Sequence, residues 1–230
     1  MMIIHSPQPW MEVNQSENRY FEENGQVWKA LEDAYKEGKV RAIGLSNFLK
    51  EDIENILAIC DIKPMVNQVL SHITNTPFEL IDYCKSVGIE MEAYSPIAHG
   101  VALRNEKIGE IAKKYNVNIA QLCIRYDWQL GMIVLPKTAN PIHQKENMSI
   151  DFKISDEDME ILENMNKIES YDEFGFFHFR EIKNYLNTTQ AKRVLDDMKN
   201  FNYLVDNSLR KSFYIFSNKK NLISVSATPQ

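Results

Sequence analysis

Five short apolar runs, each closing on polar residues and separated by helix-patterned stretches, constrain this 230-residue chain more than any other feature. The runs cover residues 1–4, 40–45, 65–66, 89–93 and 132–135. They end in turn at His5, at Ser46-Asn47, at Asn67-Gln68, at Tyr94-Ser95 and at Pro136-Lys137-Thr138. Between them, Val27, Trp28, Leu31, Ala34 and Tyr35 recur at helical spacing and Gly38 stops the pattern. Ile53, Ile56, Leu57 and Cys60 share one face of a helix expected over 51–60. Thr76-Pro77-Phe78-Glu79 reads as a capping box with proline at the first helical position, opening a helix that runs to Gly88. Helical segments follow at 105–115 and 118–130. Asn140-Pro141 opens a short helix, and Ser155-Asp156-Glu157-Asp158 caps the last amphipathic one.

Short strands alternating with helices imply βα units and a parallel sheet. Nearly all-apolar strands are those buried on both faces. A doubly wound nucleotide fold carries a glycine-rich loop after its first strand, and no such loop occurs here. The expectation is therefore an α/β chain forming part of a (β/α)8 TIM barrel and supplying its last five strands. Chemistry in such a barrel gathers at the C-terminal strand ends, where these polar residues fall.

Hydrophobic residues make up 44% of the chain and charged residues 25%, enough apolar surface for a core. The net charge of −6 speaks against a nucleic-acid partner. No run is long and apolar enough to span a bilayer, and the N-terminus lacks the basic flank of a signal peptide, so a cytoplasmic protein without a membrane partner is expected. Cys60, Cys84 and Cys123 are far apart, show no metal-type spacing and read as reduced thiols, so no metal site is expected. Residues 1–170 carry 17 Lys+Arg against 26 Asp+Glu, whereas 171–230 carry 9 against 6, which places a boundary near Ser170. The tail holds an aromatic cluster at 174–179 and a helix expected from Glu181 to about Lys199, giving a mainly helical appendage of unassigned role.

Gly38-Lys39-Val40-Arg41-Ala42-Ile43-Gly44-Leu45-Ser46-Asn47-Phe48, Glu92-Ala93-Tyr94-Ser95-Pro96-Ile97 and Leu135-Pro136-Lys137-Thr138 with Glu146-Asn147 stand in one order and spacing. With Ile4-His5-Ser6-Pro7 and Val66-Asn67-Gln68, they make residues 1–166 resemble the C-terminal half of an aldo-keto reductase barrel. The resemblance implies an oxidoreductase that reduces aldehydes or ketones by hydride transfer from NADP(H). Ser46, Asn47 and Gln68 would hold the nicotinamide carboxamide, and Tyr94 would stack under the ring. Ser95 and Ile97 would lie along the pyrophosphate. Lys137 and Thr138 would meet the adenosine phosphate, with Glu146 and Asn147 at the adenine. His5 would orient the carbonyl of a small substrate. Read alone, His5 also suits a core position, Ser46-Asn47 suit a helix cap and Lys137 suits a solvated surface.

Two departures matter. The family's catalytic tyrosine, its lysine and its aspartate would come from strands before this chain, leaving His5 as the one catalytic residue. The chain thus reads as an N-terminally truncated enzyme, inactive alone and self-associating through exposed barrel edges. A non-catalytic half-barrel that binds a nucleotide or a partner chain is the alternative. The second departure is His143, where the family motif carries arginine. This weakens the expected grip on a 2′-phosphate and lets NAD(H) compete.

Overall fold

A computed structural model describes residues 1–10, 13–14, 16–168, 213–218 and 221–227. Its strands are β1 (Met2–Ile4), β2 (Ile43–Ser46), β3 (Val66–Leu70), β4 (Glu90–Tyr94) and β5 (Ile133–Leu135), all parallel to their ladder partners. The helices are α1 (Phe21–Lys36), α2 (Lys50–Leu57), α3 (Phe78–Ser86), α4 (Glu106–Lys114), α5 (Ile119–Gln129), α6 (Pro141–Met148) and α7 (Asp156–Glu163). The alternation expected from the sequence is present. The chain divides into two compact units, with the break between Pro64 and Met65.

In the first unit β1 lies against β2 with Ile4 opposite Leu45. Ile4, Ile43 and Leu45 are fully buried, which is what fixes the register of two such short strands. Helix α1 is held by two side chains one turn apart on the same face. Trp28 Nε1 donates to the Ile62 carbonyl at 3.1 Å, and the buried Glu32 accepts the backbone N–H groups of Asp61 and Ile62 at 2.7 and 2.8 Å. Gly25 lets the same helix approach closely, since a Cβ there would sit 2.6 Å from Ile59 Cδ1. Gly38, at φ +72°, ends the helix in the left-handed conformation that side chains resist. Asp52 in the first turn of α2 is buried. It accepts the Leu49 N–H at 2.9 Å and both forks of the Arg19 guanidinium. Burial raises the Asp52 pKa by more than the hydrogen bonds from Arg19 and Leu49 lower it.

In the second unit β4 is the middle strand, with Gln68 opposite Glu92, Leu70 opposite Tyr94, and Tyr94 opposite Leu135. Ile108, Ile111, Leu122, Cys123 and Ile124 supply the buried faces of α4 and α5. Polar residues at four-residue spacing on α5 hold the segment beyond α6. Gln121 Nε2 donates to the Ser149 carbonyl at 2.8 Å, Arg125 to Ile150 at 3.0 Å and Gln129 to Ile154 at 2.8 Å. Ser155 caps α7 as expected, accepting the Asp158 N–H at 3.1 Å. The Asp158 side chain in turn accepts from Lys114 and Tyr115, both at 2.6 Å, tying α7 to the end of α4.

Three expectations are corrected. Strand β3 does not end at Asn67-Gln68: Val69 and Leu70 are also buried and prolong it, so both amides sit mid-strand. Thr76 does not cap α3, whose N-cap is Pro77; its hydroxyl instead bonds the His72 carbonyl at 3.0 Å and the Tyr126 hydroxyl at 2.9 Å. Strand β5 is not buried on both faces, because it closes the ladder of its unit and leaves Ile133 and Leu135 exposed. The described part of the tail lies beyond the helix expected from sequence. It is an antiparallel hairpin of β6 (Phe213–Asn218) and β7 (Asn221–Ala227), in keeping with the strand propensity of aromatic and β-branched residues. The helix expected over 181–199, the aromatic cluster and the boundary near Ser170 lie outside the described residues.

Candidate functional site

Each unit carries part of the sequence-derived site, and the two parts are described separately. In the first, His5 follows β1 and Ser46-Asn47 close β2. Asn47 sits at φ +62°, a left-handed position that asparagine tolerates better than most residues. Its Nδ2 donates to the His5 carbonyl at 2.9 Å and to Ser46 Oγ at 3.0 Å. Both amide protons therefore have acceptors inside the protein, which fixes the orientation of the side-chain amide. The imidazole of His5 stacks on Trp10, with centroids 4.8 Å apart and planes 11° apart. Burial lowers the His5 pKa, so the ring is neutral near pH 7 and carries one N–H donor.

Sequence reading missed what holds this loop. The buried Gln8 donates to the carbonyls of Ser16 and Asn18 at 2.8 and 2.7 Å and accepts the Asn14 N–H at 2.5 Å. The buried Asn24 donates to the Pro7 carbonyl at 2.8 Å. Nothing local marks either residue, because the partners of their side-chain amides lie 5 to 17 positions away.

In the second unit Gln68 Nε2 donates to Glu92 Oε2 at 2.8 Å across the ladder. Glu92 is buried, and the register of β3 on β4 is the signal that pairs it with Gln68. Tyr94 ends β4, and Ser95 follows at φ +56°, its Oγ 3.2 Å from His99 Nε2. Ala98 and His99 repeat the positive φ, at 48° and 52°. Such a cluster of left-handed residues is costly and gathers where the backbone must be aimed. Burial lowers the His99 pKa.

The clearest grouping is a cavity of about 500 Å³ that brings together Ile97, Lys137, Thr138, His143, Glu146 and Asn147, six residues singled out from sequence. Gln68, Tyr94 and Ser95 do not line it. Leu103, Ala112, Val117, Ile119 and Ala120 give it an apolar wall, and Lys113 joins its lining. Helix α6 starts at its edge. Asn140 Oδ1 caps the Ile142 N–H at 2.9 Å, and proline supplies no donor at 141, so the first turn offers few free N–H groups. Lys137 and Lys113 are thus the permanent positive charges of the lining, against the carboxylate of Glu146. An apolar wall facing fixed cations suits a molecule with a flat ring at one end and phosphate at the other.

Among the described residues no group of histidines, cysteines and carboxylates could hold a metal ion, and no helix is long and apolar enough to cross a membrane. His72 is a core residue with Nδ1 3.1 Å from Thr74 Oγ1.

Comparison with known proteins matches residues 1–167 to the profile of the Aldo/keto reductase family. The chain is 47% identical over 144 residues to glyoxal reductase of Bacillus subtilis (strain 168), covering 62% of this chain and 52% of that protein. It is 42% identical over 145 residues to the 9,11-endoperoxide prostaglandin H2 reductase of Trypanosoma cruzi (strain CL Brener), covering 61% and 51%. Among solved structures, the aldo-keto reductase AKR2E5 complexed with NADPH is similar with a TM-score of 0.62 at 29% identity, over 72% of this chain and 54% of that one. Apo Gox0644 gives a TM-score of 0.63 at 34% identity, over 73% and 59%. The chain spans about half the length of the curated relatives it matches.

Proposed function

The chain belongs to the aldo/keto reductase family, and on that premise we propose that it serves an NAD(P)H-dependent reduction of aldehydes or ketones, with residues 1–170 supplying the last five strands of a barrel and the nucleotide-binding side of the site and residues 171–230 forming an extension of unassigned role. The observation that carries this reading is the single cavity lined by Ile97, Lys137, Thr138, His143, Glu146 and Asn147. When bound, the nicotinamide nucleotide supplies the hydride that reaches the carbonyl carbon.

The chain's own residues have definable tasks. Lys137 gives the adenosine phosphate a permanent positive charge and Thr138 a hydroxyl donor. Glu146 and Asn147 face the adenine, whose amino group and ring nitrogens need an acceptor and a donor. Ser95 and Ile97 border the pyrophosphate, and Tyr94 offers a plane to the nicotinamide ring, as the resemblance assigns them. Gln68, aligned by its bond to Glu92, and Asn47, aligned by the His5 carbonyl, are the amides assigned to the carboxamide. Neutral His5, its ring plane set by Trp10, donates a hydrogen bond to a substrate carbonyl oxygen and so orients it. His143 replaces the bidentate cation of the family motif, which allows NADH to compete with NADPH. A cytoplasmic location and self-association through sheet edges belong to the same proposal.

Binding without turnover is the second reading. His5 is the one member of the family's acid–base set that the resemblance assigns within residues 1–230, and a tyrosine acid with a reference pKa of about 10 needs charged neighbours to act near neutrality.

Titrating NADPH and NADH into the 230-residue chain while following tryptophan fluorescence tests the proposal. Saturable binding by a chain folded by circular dichroism supports it; a folded chain that binds neither nucleotide refutes it. NADPH oxidation with glyoxal, the substrate named by one relative, then separates turnover from binding alone.

A further inference from the structure

Helix α4 ends on two adjacent lysines with different fates. Lys114 Nζ is held by Asp158 Oδ1 at 2.6 Å. Lys113, about 100° round the helix, lines the 500 Å³ cavity with Lys137, Thr138 and His143, and among the described residues it forms no ion pair. A second cavity, of about 460 Å³, shares Leu103, Gly109, Lys113 and Ile119 with the first and adds Arg104, Asn105, Glu106 and Glu110. Lys113 therefore lines both cavities, one of them with Lys137.

We infer that Lys113 is a second phosphate-binding cation of the nucleotide cavity and selects for an adenosine nucleotide bearing a ribose phosphate besides its 5′ phosphate. This rests on the nucleotide reading above. Glu146 lines the cavity as well, so Lys137 alone would leave its permanent charges balanced at zero. Lys113 provides the surplus positive charge that a dianionic phosphate requires. The two ammonium groups approach from different elements, α4 and the loop after β5, so they can hold one phosphate between them without crowding. A flexible four-carbon stem lets Lys113 deliver its charge while its methylenes cover the wall formed by Ala112 and Ile119. With a histidine at position 143, Lys113 supplies a charge there without the bidentate grip that an arginine would have given.

The test is calorimetric titration of the 230-residue chain and its Lys113→Gln, Lys113→Arg and Lys137→Gln variants with 2′,5′-ADP and with 5′-AMP. Lys113 is exposed, so its replacement leaves the core intact, and circular dichroism of each variant checks folding independently of binding. Lys113→Gln is expected to weaken 2′,5′-ADP about tenfold, the size of one charge-assisted hydrogen bond, while 5′-AMP changes by less than about twofold. Lys113→Arg keeps the preference. An unchanged ratio of the two affinities in Lys113→Gln, whether both fall together or neither moves, overturns the role of Lys113 and leaves the nucleotide reading standing. A wild-type chain that binds neither ligand overturns both.

Discussion

The side-chain amide of Asn47 donates to the backbone carbonyl of His5 at 2.9 Å, so the end of β2 sets the end of β1. The bond exists because Asn47 adopts φ +62°. Replacing it with alanine removes the bond and keeps a Cβ in left-handed backbone; glycine removes the bond but relieves that strain. Asn47→Ala is expected to be less stable than Asn47→Gly by about 1 kcal/mol. Urea unfolding of both variants measures the difference, and an equal loss would mean that the backbone relaxes.

Asp127 is fully buried in α5, with Oδ1 bonded to Ser71 Oγ at 2.8 Å and Oδ2 lacking a hydrogen-bond partner among the described residues. Burial pushes its pKa up to about 7 against the pull of the Ser71 hydroxyl. The unfolded chain releases this proton near pH 4 while the folded chain keeps it to about pH 7. Asp127 therefore favours the folded state at low pH and loses that contribution between those two values, with no further loss above. Asp127→Asn removes this fall. Stability at pH 5 and pH 8 should then differ less than in the wild type, by on the order of a few kcal/mol; thermal unfolding across pH reads it out.

Arg19 binds both carboxylate oxygens of Asp52, whose side chain is inaccessible to solvent. Removing one partner of a buried pair strands the other charge, so Arg19→Ala should cost about 3–5 kcal/mol, and Arg19→Ala with Asp52→Asn together less than Arg19→Ala alone. Chemical denaturation of the double-mutant cycle decides it. Additive losses would show that the pair is not coupled.

His143 lines the cavity beside Lys137 and Thr138. His143→Arg is expected to tighten NADPH about tenfold while leaving NADH within about twofold, because a guanidinium grips a ribose phosphate that NADH lacks. Parallel fluorescence titrations measure both; equal tightening of the two would place position 143 away from that phosphate.

Periodicity and capping made most of the elements legible. The spacing of Trp28 and Leu31, the stop at Gly38 and the caps Asn140 and Ser155 act within a turn or two, where neighbours in sequence are neighbours in space. The motif residues 97, 137, 138, 143, 146 and 147 were legible as a set, and the structure lines one cavity with them. Local reading failed where distant groups compete for the same residue. Thr76 had a cap available and gave its hydroxyl to Tyr126, 50 positions on. Gln68 looked like a strand end until the burial of Val69 and Leu70 carried the strand past it and the register set Glu92 against it.

The sequence by itself determined the kind of chain this is: short apolar strands, helices between them, polar strand ends and the motifs of one family. Tertiary structure alone decided which polar groups are consumed within the protein and which face a cavity. Ser71 went to Asp127 and Lys114 to Asp158, while Lys113 lines the cavity beside Lys137. The physical reason is that burying a polar group is tolerated only with a partner. Which partner lies within 3 Å is settled by the packing of whole elements, which no local pattern contains.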